Sequence, residues 1–555
     1  MFEKLNLSQK AWVEKTYAEM TEDERIGQLV NELSNTFMSK GKDAAAYLKK
    51  YPIGSVFTGS EIIDAFAADG ERTKRLNTVL EEANLKIPVI LSGDFENGIG
   101  GQIKGYTAMP RTMGLSATFS EEDSYDFGKV IGTEAQALNI RWGFGPVSDL
   151  NINRENPVTN IRSASDEPDH AIKILKNIVK GMQDYGCAAC PKHFPGDGTD
   201  TRNQHYVTSH NVLSKEEWDK LHGRVFKELI DAGAMSIMIG HIAFPAYEGP
   251  DPEREGLYRP ATASRRIMTD LLRGELGFRG IILTDALCMN GFISWGDYEK
   301  RILDSFNGGT DVFLWPGPEK FFPLMKEALK DGRASRERLE ESVKRVLAFK
   351  VLLGVTPCED MGFIRETRDL NTLLKDNKVI AERIAENSIT LLRNRDNVLP
   401  LKLEKDARVL LLYAPEKEAP RQHLSVFADE LKARGCQVTM TPFSNFHVLE
   451  PNIDIFDCVM LLSDANPQYS EYRGFDNGLW PFLACNRMKK RICISFATPY
   501  FLYDVAGEGT YINSYHDCEA SVKATVKAMF GEIPFRGRCP VSVPNCFSFG
   551  EGKTL

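Results

Sequence analysis

Short, nearly unbroken apolar runs recur along the first 320 residues, each followed by a longer stretch with helical spacing. Eight of them read as strands: IGQLVNEL near Gln28, GSVF near Val56, PVILSGD ending at Asp94, RWGFGPVSD near Pro146, CAACPKHF ending near His193, AMSIMIGHI ending near His241, IILTDAL ending near Asp285 and DVFLWPG near Trp315. Continuous apolar runs, rather than alternating ones, are what parallel strands buried on both faces require. Between them EEDSYDFGKVIGTEAQAL, HAIKILKNIVKGMQDY, KEEWDKLHGRVFKELIDA and YEKRILDSFNGG carry the spacing of amphipathic helices. Eight strands alternating with helices over about 320 residues predict an α/β fold, a TIM-like (β/α)8 barrel with insertions. The first run is the least distinct, because MTEDERIGQLVNEL also reads as a single helix.

The pattern then changes. SRERLEESVKRVLAFKVLLG predicts a closing helix stopped by Gly354 and Pro357, so the barrel is assigned residues 1–354. Residues 355–400 read as a polar linker followed by a connecting helix, KVIAERIAENSITLLRN. From 401 to 555 the runs RVLLLYAP, CQVTMTPF, DCVMLLSD and RICISFATP alternate with helical pieces and predict a smaller α/β open-sheet sandwich.

Composition narrows the function classes. A chain of 555 residues, 42% hydrophobic and 26% charged, is ordinary for a globular protein of several domains. A net charge of −9 argues against nucleic acid or an anionic membrane surface as partner, since both attract basic patches. No run reaches the ~18 apolar residues of a membrane-spanning helix, and MFEKLNLSQKAWVEK lacks the apolar core of a signal peptide. Eleven cysteines, several inside apolar runs, read as buried free thiols of a reducing, cytoplasmic setting. Cys187 and Cys190 fall on a predicted strand that points them to opposite faces, which disfavours a redox or zinc role.

A barrel of this type gathers its reacting groups where its strands end. The polar residues at those ends are Asp94 and Glu96, Asp149 with Arg162 beyond it, Lys192 and His193, His241, and Asp285. The loop PKHFPGDGTDTRNQH, from Pro191 to His205, adds more, and four of the nine histidines (His193, His205, His210, His241) fall in this part of the chain. Carboxylates, imidazoles, a lysine and an arginine suit a polyhydroxylated neutral ligand with acid–base chemistry upon it. A metal site built from His193, Asp197, His205 and His210 is disfavoured because their spacing follows no compact ligand pattern, and no cofactor is expected.

KHFPGDG, from Lys192 to Gly198, resembles the KHFPGxG signature of family-3 glycoside hydrolases that act as β-N-acetylglucosaminidases. LGFRGIILTDALCMNG resembles that family's nucleophile strand, and MTEDERIGQL, GPVSDLNINRENP, IRSASDEP and TASRRIMTDLLRGELGF agree in order. ENSITLLRNRDNVLPL is similar to the family's junction into a second domain, after which the resemblance fades. The resemblance implies a retaining glycosidase with Asp285 as nucleophile and His205 as proton donor, acting on terminal N-acetylglucosamine of oligosaccharides or cell-wall fragments. It also implies that Asp94, Arg162, Lys192 and His193 hold the sugar. His241 and Asp197 join this set as pocket candidates, although His241 reads equally well as a satisfied core residue.

Three departures stand out. The subgroup's Asp-x-His is here Asn203-Gln204-His205, which supplies no negative charge to an imidazolium; in other enzymes an Asp-to-Asn change beside a catalytic histidine costs up to ~10⁴ in rate. Asp197 stands where the family has histidine, so Asp197 or Asp200 is a candidate replacement partner for His205. Gln102 stands where an arginine is expected. These departures keep two other readings open: transfer of the sugar to phosphate or another acceptor on the same site, and a sugar-binding protein whose catalysis has decayed. Three roles for the second domain stay open as well: covering the site, binding the far end of the substrate, or forming a homodimer.

Overall fold

The computed structural model describes residues 1–58, 71–252, 254–358, 362–414, 422–464 and 479–555, with backbone alone for 71–73 and 480. They form two compact units, Met1–Thr107 with Tyr125–Leu150 and Leu175–Lys375, and Ala108–Ser124 with Asn151–Ile174 and Asp376–Leu555.

In the first unit all eight expected strands are present: β1 (Val30–Leu33), β2 (Ser55–Phe57), β3 (Ile90–Gly93), β4 (Ile140–Gly143), β5 (Ala188–Ala189), β6 (Ser236–Ile239), β7 (Ile281–Thr284) and β8 (Phe313–Leu314). Six of them form a parallel sheet in the order β8-β1-β2-β3-β4-β5, and β6 pairs with β7. Two bridges close the ring, Phe194 with Ile239 beyond β5 and Leu283 with Val312 before β8. The result is the TIM-like barrel that the apolar runs predict. Phe57, Trp142, Phe144, Ile281 and Leu283 fill its interior, and burying each such side chain contributes about 1.5–3 kcal/mol. The ambiguous first run is both things in turn: Thr21 and Glu24 form a capping box that starts a helix at Glu22–Gly27, and β1 begins at Val30.

The second unit holds a six-stranded sheet of β9 (Thr390–Asn394), β10 (Arg408–Ala414), β11 (Gln437–Pro442), β12 (Cys458–Ser463), β13 (Arg491–Ser495) and β14 (Thr510–Asn513). The order is β9-β14-β13-β12-β10-β11, with β9 antiparallel to β14 and the other pairs parallel. Alternate residues of β10 enter opposite cores, Leu410 and Leu412 on one face and Val409 and Leu411 on the other.

One expectation needs correction. The helix read over KVIAERIAENSITLLRN ends at Ser388, and its last residues are strand β9, because Leu391 is buried in the sheet core. The polar segment after Val355 is hydrogen-bonded to the barrel's helices: Ile364 N–H donates to Asp184 O (2.7 Å) and Glu366 N–H to Gln136 Oε1 (2.7 Å). Residues 359–361 of that segment lie outside the described residues. Among the described residues no helix is long and apolar enough to cross a membrane. Cys187 and Cys190 are free and buried, and burial pushes both thiols up to about 12.

Candidate active site

The chain leaves β5 through Pro191 and places Lys192 and His193 at the barrel mouth. Phe194 anchors this turn in the core, edge-on to Trp218 and Phe226. Gly196 has φ +115°, and a Cβ there would meet the His222 ring at 2.3 Å, so the glycine of the motif is sterically required.

Lys192 is buried and its Nζ lies 2.7 Å from Asp94 Oδ1 and 2.8 Å from Glu96 Oε1. Two carboxylates around one ammonium make a charged clamp, and Asp94 keeps 37% of its side chain exposed, so it faces the mouth as well. Asp149, wholly buried just beyond β4, accepts from His193 Nδ1 (2.7 Å), His193 N–H (3.1 Å) and Asp197 N–H (2.7 Å). Burial pushes this carboxyl up, but the His193 imidazole and the N–H donors more than offset it, leaving it below the usual carboxylate range.

Asp285 is the first residue after β7. Its N–H donates to Ile239 O (2.9 Å) and its Oδ1 accepts from Ala286 N–H (2.7 Å), the one hydrogen bond to its carboxylate among the described residues. Oδ2 lies 3.9 Å from His193 Nε2. Burial again pushes the carboxyl up, and the imidazoles of His193, His241 and His205 bring it net below its ordinary value. Asp285 is therefore an ionised carboxylate with little hydrogen bonding to blunt it.

His205 reaches this mouth on the loop after β5. That loop is tied to the segment after Asp285: Asn290 N–H donates to His205 O (2.9 Å) and Gly291 N–H to Gln204 O (3.2 Å). A Cβ on Gly291 would sit 2.5 Å from Gln204 O, which explains the glycine of TDALCMNG. Asn203 Oδ1 accepts from both His205 N–H (3.0 Å) and His205 Nδ1 (2.7 Å). A backbone N–H can only donate, so the amide oxygen is the atom facing the ring and Nδ1 carries the hydrogen.

The structure corrects the idea that Asp197 or Asp200 replaces the missing partner of Nδ1. That partner is Asn203 itself. Asp200 is held by Arg202 Nε (2.8 Å) and His210 N–H (2.8 Å). Asp197 is 2% exposed, with its Oδ1 on Gly198 N–H (2.8 Å), so this oxygen shapes the turn. His241 is corrected likewise. It is fully buried, with Nε2 donating to Ala286 O (3.0 Å) and Nδ1 paired with Thr262 Oγ1 (3.0 Å), and burial lowers its basicity. Its Nε2 holds the carbonyl of the residue after Asp285. Arg162 belongs to the second unit, where its guanidinium donates to Val158 O (3.0 Å). Sequence reasoning noted Asp149 and Glu96 at strand ends but gave neither a role; their strand-end position was the available signal.

A closed (β/α)8 barrel with a buried aspartate after its seventh strand, beside imidazoles and a lysine held by two carboxylates, has the architecture of a barrel enzyme. The profile described as Glycosyl hydrolase family 3 N terminal domain matches residues 21–349, and the chain belongs to this family of glycoside hydrolases, whose substrates are carbohydrates. It is 31% identical over 554 residues to a β-N-acetylglucosaminidase/β-glucosidase of Cellulomonas fimi, covering 96% of this chain and 95% of that one. Among solved structures it is similar to the β-glucoside phosphorylase BglX bound to 2FGlc, with a TM-score of 0.84 and 26% identity over 97% of both chains. It is also similar to a family-3 β-N-acetylglucosaminidase from Paenibacillus sp. str. FPU-7, with a TM-score of 0.80 and 25% identity over 94% of this chain and 99% of that one.

Proposed function

We propose that the protein is a retaining β-N-acetylglucosaminidase that releases terminal β-linked N-acetylglucosamine through a covalent glycosyl–Asp285 intermediate. The observation that carries the proposal is Asp285 itself, buried at the barrel mouth, ionised, and with Oδ2 left for an electrophile. Oδ2 attacks the anomeric carbon, the glycosidic bond breaks, and its electron pair leaves on the aglycone oxygen, which takes a proton from His205. In the second step His205 Nε2 takes a proton from water as the resulting hydroxide displaces Asp285. Asn203 keeps the other ring nitrogen protonated, so Nε2 is the atom that exchanges the proton. The Lys192–Asp94 clamp and His193 hold ring hydroxyls. The buried thiols support the reading of a cytoplasmic enzyme.

The test is release of 4-nitrophenol from the β-N-acetylglucosaminide and the β-glucoside, with and without phosphate, by wild type and Asp285→Asn. Turnover of the N-acetylglucosaminide that vanishes in Asp285→Asn supports the proposal. Strict dependence on phosphate assigns the intermediate to phosphorolysis instead, and no turnover by folded protein leaves the sugar-binding reading.

A further inference from the structure

We infer that Asp149 is a positioning residue for this reaction, acting through His193 by fixing which ring nitrogen carries the hydrogen, so that Nε2 faces the nucleophile without one. The inference rests on the glycosidase reading above. Asp149 Oδ1 accepts the backbone N–H groups of His193 (3.1 Å) and Asp197 (2.7 Å), and Oδ2 accepts His193 Nδ1 (2.7 Å). An ionised carboxylate only accepts, so Nδ1 carries a hydrogen. Nε2 is then the nitrogen presented to the mouth, 3.9 Å from Asp285 Oδ2. The bond to Asp197 pins the following turn to the same carboxylate, so the ring and the start of the loop leading to His205 share one anchor.

Asparagine at this position keeps the shape but not the pattern of donors and acceptors. Its oxygen must stay with the two backbone N–H groups, which turns the amide NH₂ toward Nδ1. Nδ1 can receive that bond only by giving up its hydrogen. The ring then becomes the Nε2–H tautomer and donates to Asp285 Oδ2, occupying the oxygen the nucleophile needs.

The experiment is ¹⁵N NMR of the histidine-labelled full-length protein without substrate, with the His193 signals assigned by their loss in His193→Gln. The expected result is Nδ1–H in wild type and Nε2–H in Asp149→Asn. In parallel, kcat/KM for the 4-nitrophenyl N-acetyl-β-glucosaminide should fall on the order of 10²-fold in Asp149→Asn, chiefly in kcat. Added to His193→Gln, the same substitution should change kcat/KM by no more than about 3-fold. An Nε2–H ring in wild type, an unchanged tautomer in Asp149→Asn, or losses that multiply fully in the double variant would each overturn the inference. If Asp149→Asn does not fold, the wild-type spectrum decides alone. If wild type cleaves no glycoside, the functional reading fails, while the spectra still decide whether Asp149 sets the ring.

Discussion

Asp311 and Asp285 are buried aspartates at opposite ends of the same barrel, one just before β8 and the other just after β7. Asp311 Oδ1 accepts from Ser342 Oγ (2.8 Å), Arg338 Nη2 (3.1 Å) and Arg345 Nη1 (2.5 Å), and Oδ2 accepts from Arg273 Nη2 (2.6 Å) and Ile282 N–H (3.0 Å). Burial pushes its carboxyl up, and Arg345, Arg273 and Arg338 drive it far below the carboxylate range. Among the described residues the Asp285 carboxylate accepts one hydrogen bond, and its neighbours are imidazoles. Guanidinium holds its charge at every accessible pH, whereas imidazole changes charge near neutrality. The amino-terminal end is thus a fixed electrostatic rivet binding Arg273, Arg338 and Arg345 to the strands. The carboxyl end keeps a less deeply buried charge with a single carboxylate hydrogen bond among the described residues, beside imidazoles and not guanidinium groups.

Substitutions at the two ends should separate activity from stability. Asp285→Asn should lower kcat on the order of 10⁴- to 10⁶-fold in steady-state assays, with a melting midpoint close to wild type. Asp311→Asn should do the reverse. It strands three guanidinium groups around a neutral amide and should destabilise the fold by about 3–5 kcal/mol in denaturant unfolding, with kcat of the folded protein retained. Its effect should depend on acidity in a defined sense. The folded carboxyl is lowered, so as pH falls the unfolded chain takes up the proton first, and the stabilisation present above about pH 4 is lost below it. The gap in stability between wild type and Asp311→Asn should therefore close as the pH falls below that point.

Two smaller effects sharpen the account of the carboxyl end. Gly291→Ala pushes a methyl group against Gln204 O and should displace His205 from the leaving group, with a loss in kcat on the order of 10²-fold. Restoring a charge through Asn203→Asp should stabilise the imidazolium of His205 and move the alkaline limb of the kcat–pH profile upward by about 1 unit or more. An unmoved limb would remove His205 from the proton-transfer role.

The barrel was legible because each of its eight strands is a short apolar run, and parallel strands leave that mark locally. Strand β9 was not: Thr390–Asn394 continues the apolar spacing of the preceding helix, and its pairing with β14 is a distant event. The positions of Asp285 and the histidine loop at the strand ends were legible through their motifs. The bond between Asp149 and His193 was not, because it joins residues 44 apart and is decided by strand adjacency. His241 shows the opposite limit. A histidine at a strand end looks like a ligand, and only the placement of Ala286 O and Thr262 Oγ1 shows that both nitrogens are already engaged. Arg162 lies within IRSASDEP, yet it folds with the second unit, a division that composition does not mark.

The central claim is that Asp285 forms the bond to the sugar. Its direct test is to trap the enzyme with a 5-fluoro N-acetyl-β-glucosaminide bearing a good leaving group, digest it, and map the modified peptide by mass spectrometry. The account predicts one added glycosyl group, carried by Asp285 on the peptide spanning IILTDAL. A label on another residue, or turnover of the reagent with no covalent adduct and an inverted product, would contradict it.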